Sequence, residues 1–180
     1  MPKTDYSKEW AQFPARKPKI EKVVLNIGVG SSGEKMEAAL KLLKMLTNQK
    51  PVQTYSKHKI PAWGLRKGLP IGCKVTLRGK KAEEFLARAI KAVDSELKVR
   101  SFDNAGNVSF GIEQYLFFED VKYDPKIGTM GLQVSAALKR MGDKKQMKKQ
   151  KKTPKKQKIN QDEAIDFIED KFKIKVIKDE

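Results

Sequence analysis

The sequence has few of the residues on which catalytic and metal sites depend. Among its 180 residues there is one histidine, His58, and one cysteine, Cys73. A single cysteine excludes an internal disulfide framework and a cysteine-based zinc site, so Cys73 is expected to be a small apolar residue on a buried strand face. His58 has no acid nearby to orient it, and no Ser/His/Asp set, paired carboxylates or metal-ligand spacing stands out. We therefore expect no enzyme activity, no cofactor and no metal.

Long apolar runs are also missing. No stretch approaches the roughly 18 residues that span a bilayer, and the N-terminus MPKTDYSKEW has no apolar signal core. This predicts a soluble, unexported, cytoplasmic protein. Acidic residues are outnumbered: the chain has 39 Lys and Arg but 22 Asp and Glu, which gives a net charge of +17. Such an excess predicts an anionic partner, with nucleic acid first and an acidic membrane surface second.

Residues 144–158 concentrate this charge, because they contain nine lysines and no acid. The run cannot bury enough apolar surface to fold alone, so we expect it to be extended and ordered only against a polyanion. The alternatives are a solvated tail, a nuclear address in a eukaryote, or an adaptor on anionic membranes. The rest of the chain is basic as well, which favours nucleic acid.

Apolar periodicity predicts the secondary structure of the core. The expected strands cover 20–29, 51–56, 73–78 and 132–138, and the expected helices run from about 34 to 47 and 80 to 93. The first strand is apolar through most of its second half, which favours a central place in a sheet. Ser31 and Glu34 form a capping box at the start of the first helix.

The two ends of the chain are less definite. The arm 1–18 contains Trp10 and Phe13, and either packing on the core or binding a partner would order it. Beyond the core 19–142 and a lysine-rich linker 143–159, the segment 160–180 is a helix capped by Asn160 and a short strand, which docks on the core or on a partner. The acids of that helix are expected on its outer face, as solubilising charge: Asp162, Glu163, Asp166, Glu169 and Asp170.

A glycine-rich turn offers an alternative function. Gly28, Gly30 and Gly33 follow a predicted strand and open a helix, as in a dinucleotide-binding oxidoreductase. That fold expects an acid about 20 residues further on, and the matching segment 49–56 has none. The next connection is a basic loop, where a parallel unit needs another helix. We therefore favour a turn in which glycine lets the backbone bend sharply or approach another chain.

The stretch KHKIPAWGLRKGLPIGCKVTLRG, residues 57–79, joins a loop rich in Pro, Gly and basic residues to an alternating strand. Lys74 and Arg78 alternate with apolar residues, so both are assigned to a cationic face that contacts RNA. His58 is expected to face solvent or RNA. The sequence shows neither an aromatic K/R-G-F/Y motif for stacking bases on a sheet nor a helix with clustered Arg, Asn and Gln for a DNA groove. The combination suits folded RNA that is read by shape and backbone.

Four blocks in the same order resemble the universal large-subunit ribosomal protein five family. They are IEKVVLNIGVG at 20–30, TNQKPVQTYSK at 47–57, GLRKGLPIGCKVTLRG at 64–79 and GNVSFGI at 106–112. The lysine-rich segment and the ending INQDEAIDFIEDKFKIKV are similar to the archaeal branch. A departure lies at the loop tip, where Trp63 and Gly64 replace something like a Phe-Lys pair of bacterial members.

The resemblance implies an α+β fold, a curved and mostly antiparallel sheet with helices packed on one face, a long projecting basic loop, and a C-terminal basic extension and helix. It also implies a structural role in the large subunit. The residues expected to contact 5S rRNA are Asn26, Gln49, Lys50, Thr54 and Lys57. The loop residues expected to contact the P-site tRNA are Leu65, Arg66, Lys67, Gly68 and Leu69. The implied neighbours in the central protuberance are large-subunit rRNA and large-subunit ribosomal protein eighteen.

Overall fold

The computed structural model describes residues 6–30, 33–141 and 158–177. The strands are β1 Lys19–Gly28, β2 Val52–Tyr55, β3 Pro70–Leu77, β4 Glu96–Lys98, β5 Val108–Ile112, β6 Leu132–Lys139 and β7 Lys175–Ile177. The helices are α1 Tyr6–Gln12, α2 Glu34–Thr47, α3 Lys80–Lys91 and α4 Gln161–Phe172. Five strands form one sheet in the order β2–β3–β1–β6–β5, with every neighbouring pair antiparallel, and β4 and β7 form a separate parallel pair.

Strand β1 occupies the centre of the large sheet, as its apolar sequence predicts. It pairs with β3 on one side and with β6 on the other. Val23, Leu25 and Ile27 alternate along it and are at most 3% exposed. Because side chains alternate between the faces of a strand, the residues between them lie on the opposite face. A register shift between Ile20 and Lys22 marks a bulge near the start of β1.

The helices cover the apolar face of the sheet, and one hydrophobic core joins the two layers. Helix α2 contacts β3, and α3 contacts β1. The buried residues of α3 recur at helical spacing and include Phe85, Leu86 and Ile90. The predicted α+β class and mostly antiparallel sheet are therefore confirmed.

Helix α2 begins at Glu34, after Gly33, which has a positive φ of 116°. The N-cap residue of α2 is therefore a glycine, which has no side chain to accept a hydrogen bond from the first turn of the helix. The predicted capping box depends on Ser31, which lies outside the described residues.

The C-terminal unit docks on the core of its own chain, which is one of the two expected outcomes. Helix α4 buries Ala164, Phe167 and Ile168, and β7 pairs in parallel with β4. Just before the helix, Ile159 packs so closely on Gly106 that a Cβ there would lie 2.6 Å from Ile159 Cγ2. A side chain at position 106 would therefore push the C-terminal unit away from the core.

The N-terminal arm also packs on its own chain, through a group that we call the terminal clasp: Trp10, Arg140 and Glu163. Trp10 Nε1 donates to Glu163 Oε1 at 3.4 Å, and Arg140 Nη2 donates to Glu163 Oε2 at 2.6 Å. The indole of Trp10 also meets the ring of Phe167 edge-on, with centroids 6.2 Å apart. Three distant parts of the chain thus converge on one carboxylate.

The expectation that Glu163 is a solubilising residue on the outer face of its helix is wrong. Glu163 is 2% exposed and lies one turn before Phe167, on the side of α4 that faces the core. Burial of a carboxylate is costly unless it is paired and hydrogen-bonded, and Arg140 and Trp10 supply both conditions. Of the other acids, Glu169 accepts the backbone N–H of Val176 at 3.1 Å, and Asp170 lies 3.6 Å from Lys17 Nζ.

Candidate nucleic-acid interface

The face of the large sheet that the helices leave uncovered is polar. Asn26 in β1 lies directly opposite Lys74 in β3 and Gln133 in β6. The amide of Asn26 donates to Gln133 Oε1 at 3.4 Å. Further along, Ser109 donates to the hydroxyl of Ser135 at 3.1 Å. We call this surface the polar face; its rows of amides, hydroxyls and cations can donate to phosphate and ribose oxygens.

Thr54 joins the polar face at the edge strand β2, where the backbone packs tightly. It lies opposite Gly72 in β3, which in turn lies opposite Gly28 in β1. A Cβ at position 72 would lie 2.7 Å from the carbonyl oxygen of Ile27 and 3.0 Å from Thr54 Oγ1. Glycine is therefore required at position 72, because a backbone oxygen cannot move aside as a flexible side chain would. The same close approach keeps Thr54 beside the centre of the polar face.

Gln49 and Lys50 lie in the turn that connects α2 to β2. Asn48 ends the helix in a left-handed conformation with φ 51°, and the N–H of Gln49 donates to Thr47 Oγ1 at 3.3 Å. Lys50 is exposed and Gln49 is half-buried. The turn thus presents both residues at the β2 edge of the sheet, the same edge that carries Thr54.

The long basic segment is an ordered hairpin, which we call the projecting loop, residues 57–69. At its base, Ser56 N donates to Leu69 O and Gly68 N donates to Ser56 O, both at 2.9 Å. Further out, Ile60 and Leu65 exchange backbone hydrogen bonds of 2.9 and 3.1 Å. The Ser56 hydroxyl adds a bond of 2.7 Å to the carbonyl of His58. These bonds extend the β2–β3 hairpin beyond the body of the sheet.

The return arm of the projecting loop carries the residues expected to contact tRNA. Arg66 and Lys67 are exposed, and Leu65 and Leu69 are half-buried. The N–H of Leu69 donates to the Arg66 carbonyl at 3.2 Å, and Gly68 takes a φ of 84° that few other residues adopt. The backbone therefore turns so that the two cations are presented together. Lys57 and His58 are exposed on the outgoing arm.

Arg78 is separated from the other predicted residues. It follows the end of β3, whereas the projecting loop precedes the start of that strand. Its guanidinium lies 3.9 Å from Glu21 Oε1, and Lys139 Nζ lies 3.8 Å from the same oxygen. Glu21 thereby offsets part of the positive charge at this end of the sheet. The structure thus groups Asn26, Thr54 and Lys74 on the polar face and leaves Arg78 at its rim.

Sequence reasoning missed several members of the polar face. Gln133 and Ser135 lie between the apolar residues of β6, and the same alternation that identifies the core strand also identifies them. Thr76, between Lys74 and Arg78, lies opposite Val24 and is exposed. A second available signal was the total absence of acid between Glu37 and Glu83, a stretch that includes the part of α2 after Glu37, and β2, the loop and β3.

The Cys73 side chain is fully buried in β3. Burial raises the pKa of the Cys73 thiol to about 11, so the thiol is protonated at neutral pH and is a poor nucleophile. No group of three or more acids, histidines or cysteines with metal-binding proximity occurs in ranges 6–30, 33–141 and 158–177. In those same ranges no helix is long and apolar enough to cross a membrane.

The sheet topology contradicts the dinucleotide-binding alternative. That fold requires the strand before the glycine-rich turn to pair in parallel with its neighbours. Strand β1 is antiparallel to both β3 and β6. The turn at 28–30 instead closes on β3, because the N–H groups of Val29 and Gly30 both donate to the Ile71 carbonyl at 2.9 Å.

Comparison with known proteins identifies the family. A model described as ribosomal protein L5 matches residues 14–66, and a model described as the C-terminus of the same ribosomal family matches residues 70–175. The large ribosomal subunit protein uL5 of Methanococcus maripaludis (strain C6) is 42% identical over 179 residues, covering 97% of this chain and 99% of the relative. The protein of the same name from Sulfurisphaera tokodaii is 45% identical over 167 residues, covering 91% and 94%.

The matches run through the polar face, the projecting loop and the C-terminal unit, and their archaeal sources agree with the resemblance of the lysine-rich segment and the chain's ending. A ribosomal family accounts for a basic chain with an open polar surface. The chain belongs to the ribosomal protein L5 family, whose members are structural constituents of the large ribosomal subunit in the cytoplasm.

Proposed function

We propose that the chain binds 5S rRNA and adjoining large-subunit rRNA through the polar face and the β2 edge, while the projecting loop contacts the P-site tRNA. The protein would do this in the central protuberance, beside large-subunit ribosomal protein eighteen. The observation that carries the proposal is the arrangement of Asn26, Thr54 and Lys74 on three adjacent strands, with the projecting loop rising from the same hairpin. One rigid sheet thus presents two basic surfaces.

Adhesion to RNA backbone follows from the chemistry of these surfaces. Lysine and arginine displace the counterions that surround phosphates, which favours binding and makes it sensitive to salt. The hydroxyls and amides of the polar face add hydrogen bonds that set the position of the RNA. Because the paired strands hold these groups at fixed spacing, little conformational freedom is lost on binding. No bond is made or broken, and the role is structural.

Lys74→Ala and Lys91→Ala form a matched test of the polar face. Both lysines are exposed, but Lys91 ends α3 in the helical layer, whereas Lys74 lies on the polar face. Lys74→Ala should weaken binding of purified protein to 5S rRNA several-fold and lower the dependence of log affinity on log salt by about one contact. Lys91→Ala should leave both within error.

The same titration tests specificity. Wild-type protein should prefer 5S rRNA to an unrelated folded RNA of equal length. Equal affinity for both RNAs, or equal effects of the two lysine variants, would show that the chain acts as a generic polycation and would refute the assignment of the polar face.

The double variant Arg66→Ala/Lys67→Ala tests whether 5S rRNA and the P-site tRNA bind to different surfaces of the protein. Both side chains lie on the projecting loop, away from Asn26 and Lys74, so 5S rRNA binding should remain nearly intact. Large subunits that carry the variant should release P-site tRNA faster, which a filter-binding chase measures. Loss of 5S rRNA binding instead would mean that the loop belongs to the 5S surface.

A further inference from the structure

The tip of the projecting loop presents an indole to solvent. Trp63 is 74% exposed, more than any other large apolar side chain in the part of the chain that the structure describes. Exposure of so large an apolar side chain is unfavourable in water, and tryptophan is enriched where a protein contacts a partner.

The backbone under Trp63 is fixed by local hydrogen bonds. Pro61–Trp63 forms a 3-10 turn, in which Trp63 N donates to Ile60 O at 3.2 Å and Gly64 N donates to Pro61 O at 3.0 Å. Gly64 then reverses the chain with a φ of 64°. The paired backbones of Ile60 and Leu65 close the turn from below. The indole is therefore held on an ordered support, which reduces the entropy that a contact would cost.

The charges around the tip indicate the chemistry of the partner. Lys57, Lys59, Arg66 and Lys67 are all exposed on the two arms of the loop. No acid occurs anywhere from residue 38 to residue 82, so the whole hairpin is cationic. An apolar pocket of another protein would not require this ring of cations. A flat aromatic ring within a cationic surface is the combination that proteins use to bind an unpaired base together with its flanking phosphates.

We propose that Trp63 stacks on an unpaired nucleobase of the RNA that the projecting loop reaches, while Arg66 and Lys67 hold the neighbouring phosphates. The inference rests on the proposed tRNA contact for the identity of that RNA, and it adds a base contact to what is otherwise a contact with phosphates. Stacking tolerates any base, because every base has a π face. The indole thus strengthens the contact without selecting one tRNA sequence.

The test uses large subunits reconstituted with full-length chains that carry Trp63→Ala, Trp63→Phe or Trp63→Leu, and measures the rate of P-site tRNA release. Loss of a stacked base costs roughly 5- to 150-fold in affinity, so Trp63→Ala should speed release by a factor in that range. Trp63→Phe keeps an aromatic face and should stay within about threefold of wild type. Trp63→Leu keeps apolar area but has no π face, so it should resemble Trp63→Ala.

Salt dependence separates stacking from charge. Trp63→Ala removes no cation, so its release rates should vary with salt in parallel with wild type, whereas Arg66→Ala/Lys67→Ala should give a shallower dependence. All three Trp63 variants should bind 5S rRNA and melt as wild type does, because the side chain lies outside the core.

The alternative outcomes are distinct. If Trp63→Leu behaves like wild type, the contact is apolar burial and the stacking inference is wrong. If Trp63→Ala has no effect while Arg66→Ala/Lys67→Ala does, the tRNA contact stands and the stacking inference fails. If neither variant changes release, the proposed tRNA contact fails and the stacking inference fails with it.

Discussion

The two tryptophans of the chain lie in opposite environments. Trp10 is 6% exposed in the terminal clasp, where it donates to Glu163 and meets Phe167 edge-on. Trp63 is 74% exposed at the tip of the projecting loop. Both segments are poor in regular structure, with a seven-residue helix in one and a 3-10 turn in the other. The contacts of Trp10 hold the chain's own segments together, whereas the side chain of Trp63 is left available to a partner.

In the terminal clasp, contacts between distant residues hold the two ends of the chain on the core. Trp10 and Glu163 are 153 positions apart in sequence, and Arg140 reaches the same carboxylate across 23 positions. In the projecting loop, every backbone hydrogen bond described above joins residues of the same hairpin. Backbone hydrogen bonds within a hairpin can order a loop and leave its side chains exposed to a partner. A buried side-chain contact between distant segments leaves the side chains that make it inaccessible to one.

The largest effect that would test this comparison is expected from Glu163→Ala. The substitution removes the buried carboxylate to which both Trp10 and Arg140 donate, and breaking a buried ion pair costs about 3–5 kcal/mol. Urea denaturation of the purified protein measures the loss. Asp162→Ala is the matched control, because it removes a neighbouring exposed carboxylate and should change stability by no more than about 0.5 kcal/mol. Equal effects of the two variants would mean that the clasp does not hold the fold.

A slightly smaller difference is expected between Trp10→Ala and Trp63→Ala. Truncation of a buried tryptophan costs about 3 kcal/mol, and truncation of an exposed side chain about 0.5 kcal/mol or less. The effects on tRNA release should be reversed, with Trp63→Ala the more harmful. Thermal or urea unfolding, combined with the release assay, measures both quantities. A stability loss in Trp63→Ala as large as that in Trp10→Ala would show that the loop is part of the folded core.

The smallest effect concerns the internal order of the loop. Ser56→Ala removes the 2.7 Å bond from the buried hydroxyl to the His58 carbonyl, and one such hydrogen bond contributes about 1 kcal/mol. Amide hydrogen exchange should become faster at Leu65 and Gly68 and remain unchanged in β1. Ser109→Ala, which removes an exposed hydroxyl on the polar face, should not alter exchange in the loop. Uniform acceleration across the sheet would contradict the view that the loop is ordered locally.

Periodicity alone was sufficient for most of the core. The apolar residues of β1, the stripe of α3 and the alternation in β6 predict their elements within a few residues, because each pattern depends only on local geometry. The grouping of Asn26, Thr54 and Lys74 required the strand register, which no single segment contains. Arg78 lies apart from these residues because it follows the end of β3. The pairing of β3 with β1 places it there beside Glu21, so its position also required the register.

Glu163 shows why the remaining features could not be predicted. Its helix contains five acids in twelve residues, and a helical pattern does not say which acid faces inward when a partner is supplied from elsewhere. Only the docking of α1 and the end of β6 brings Trp10 and Arg140 to that carboxylate. The same docking decided between the two alternatives for the N-terminal arm, since burial of Trp10 against Phe167 is a contact within the chain.

Composition by itself determined that this is a basic chain, and the ordered blocks determined its family resemblance, which implied the α+β core. These properties are sums or short patterns along the chain, and they need no knowledge of which segments meet. The tertiary structure decided that the chain's two ends close on one buried carboxylate and that Trp63 stands exposed on an ordered turn. Burial and exposure depend on contacts between distant segments, and those contacts exist only once the chain has folded.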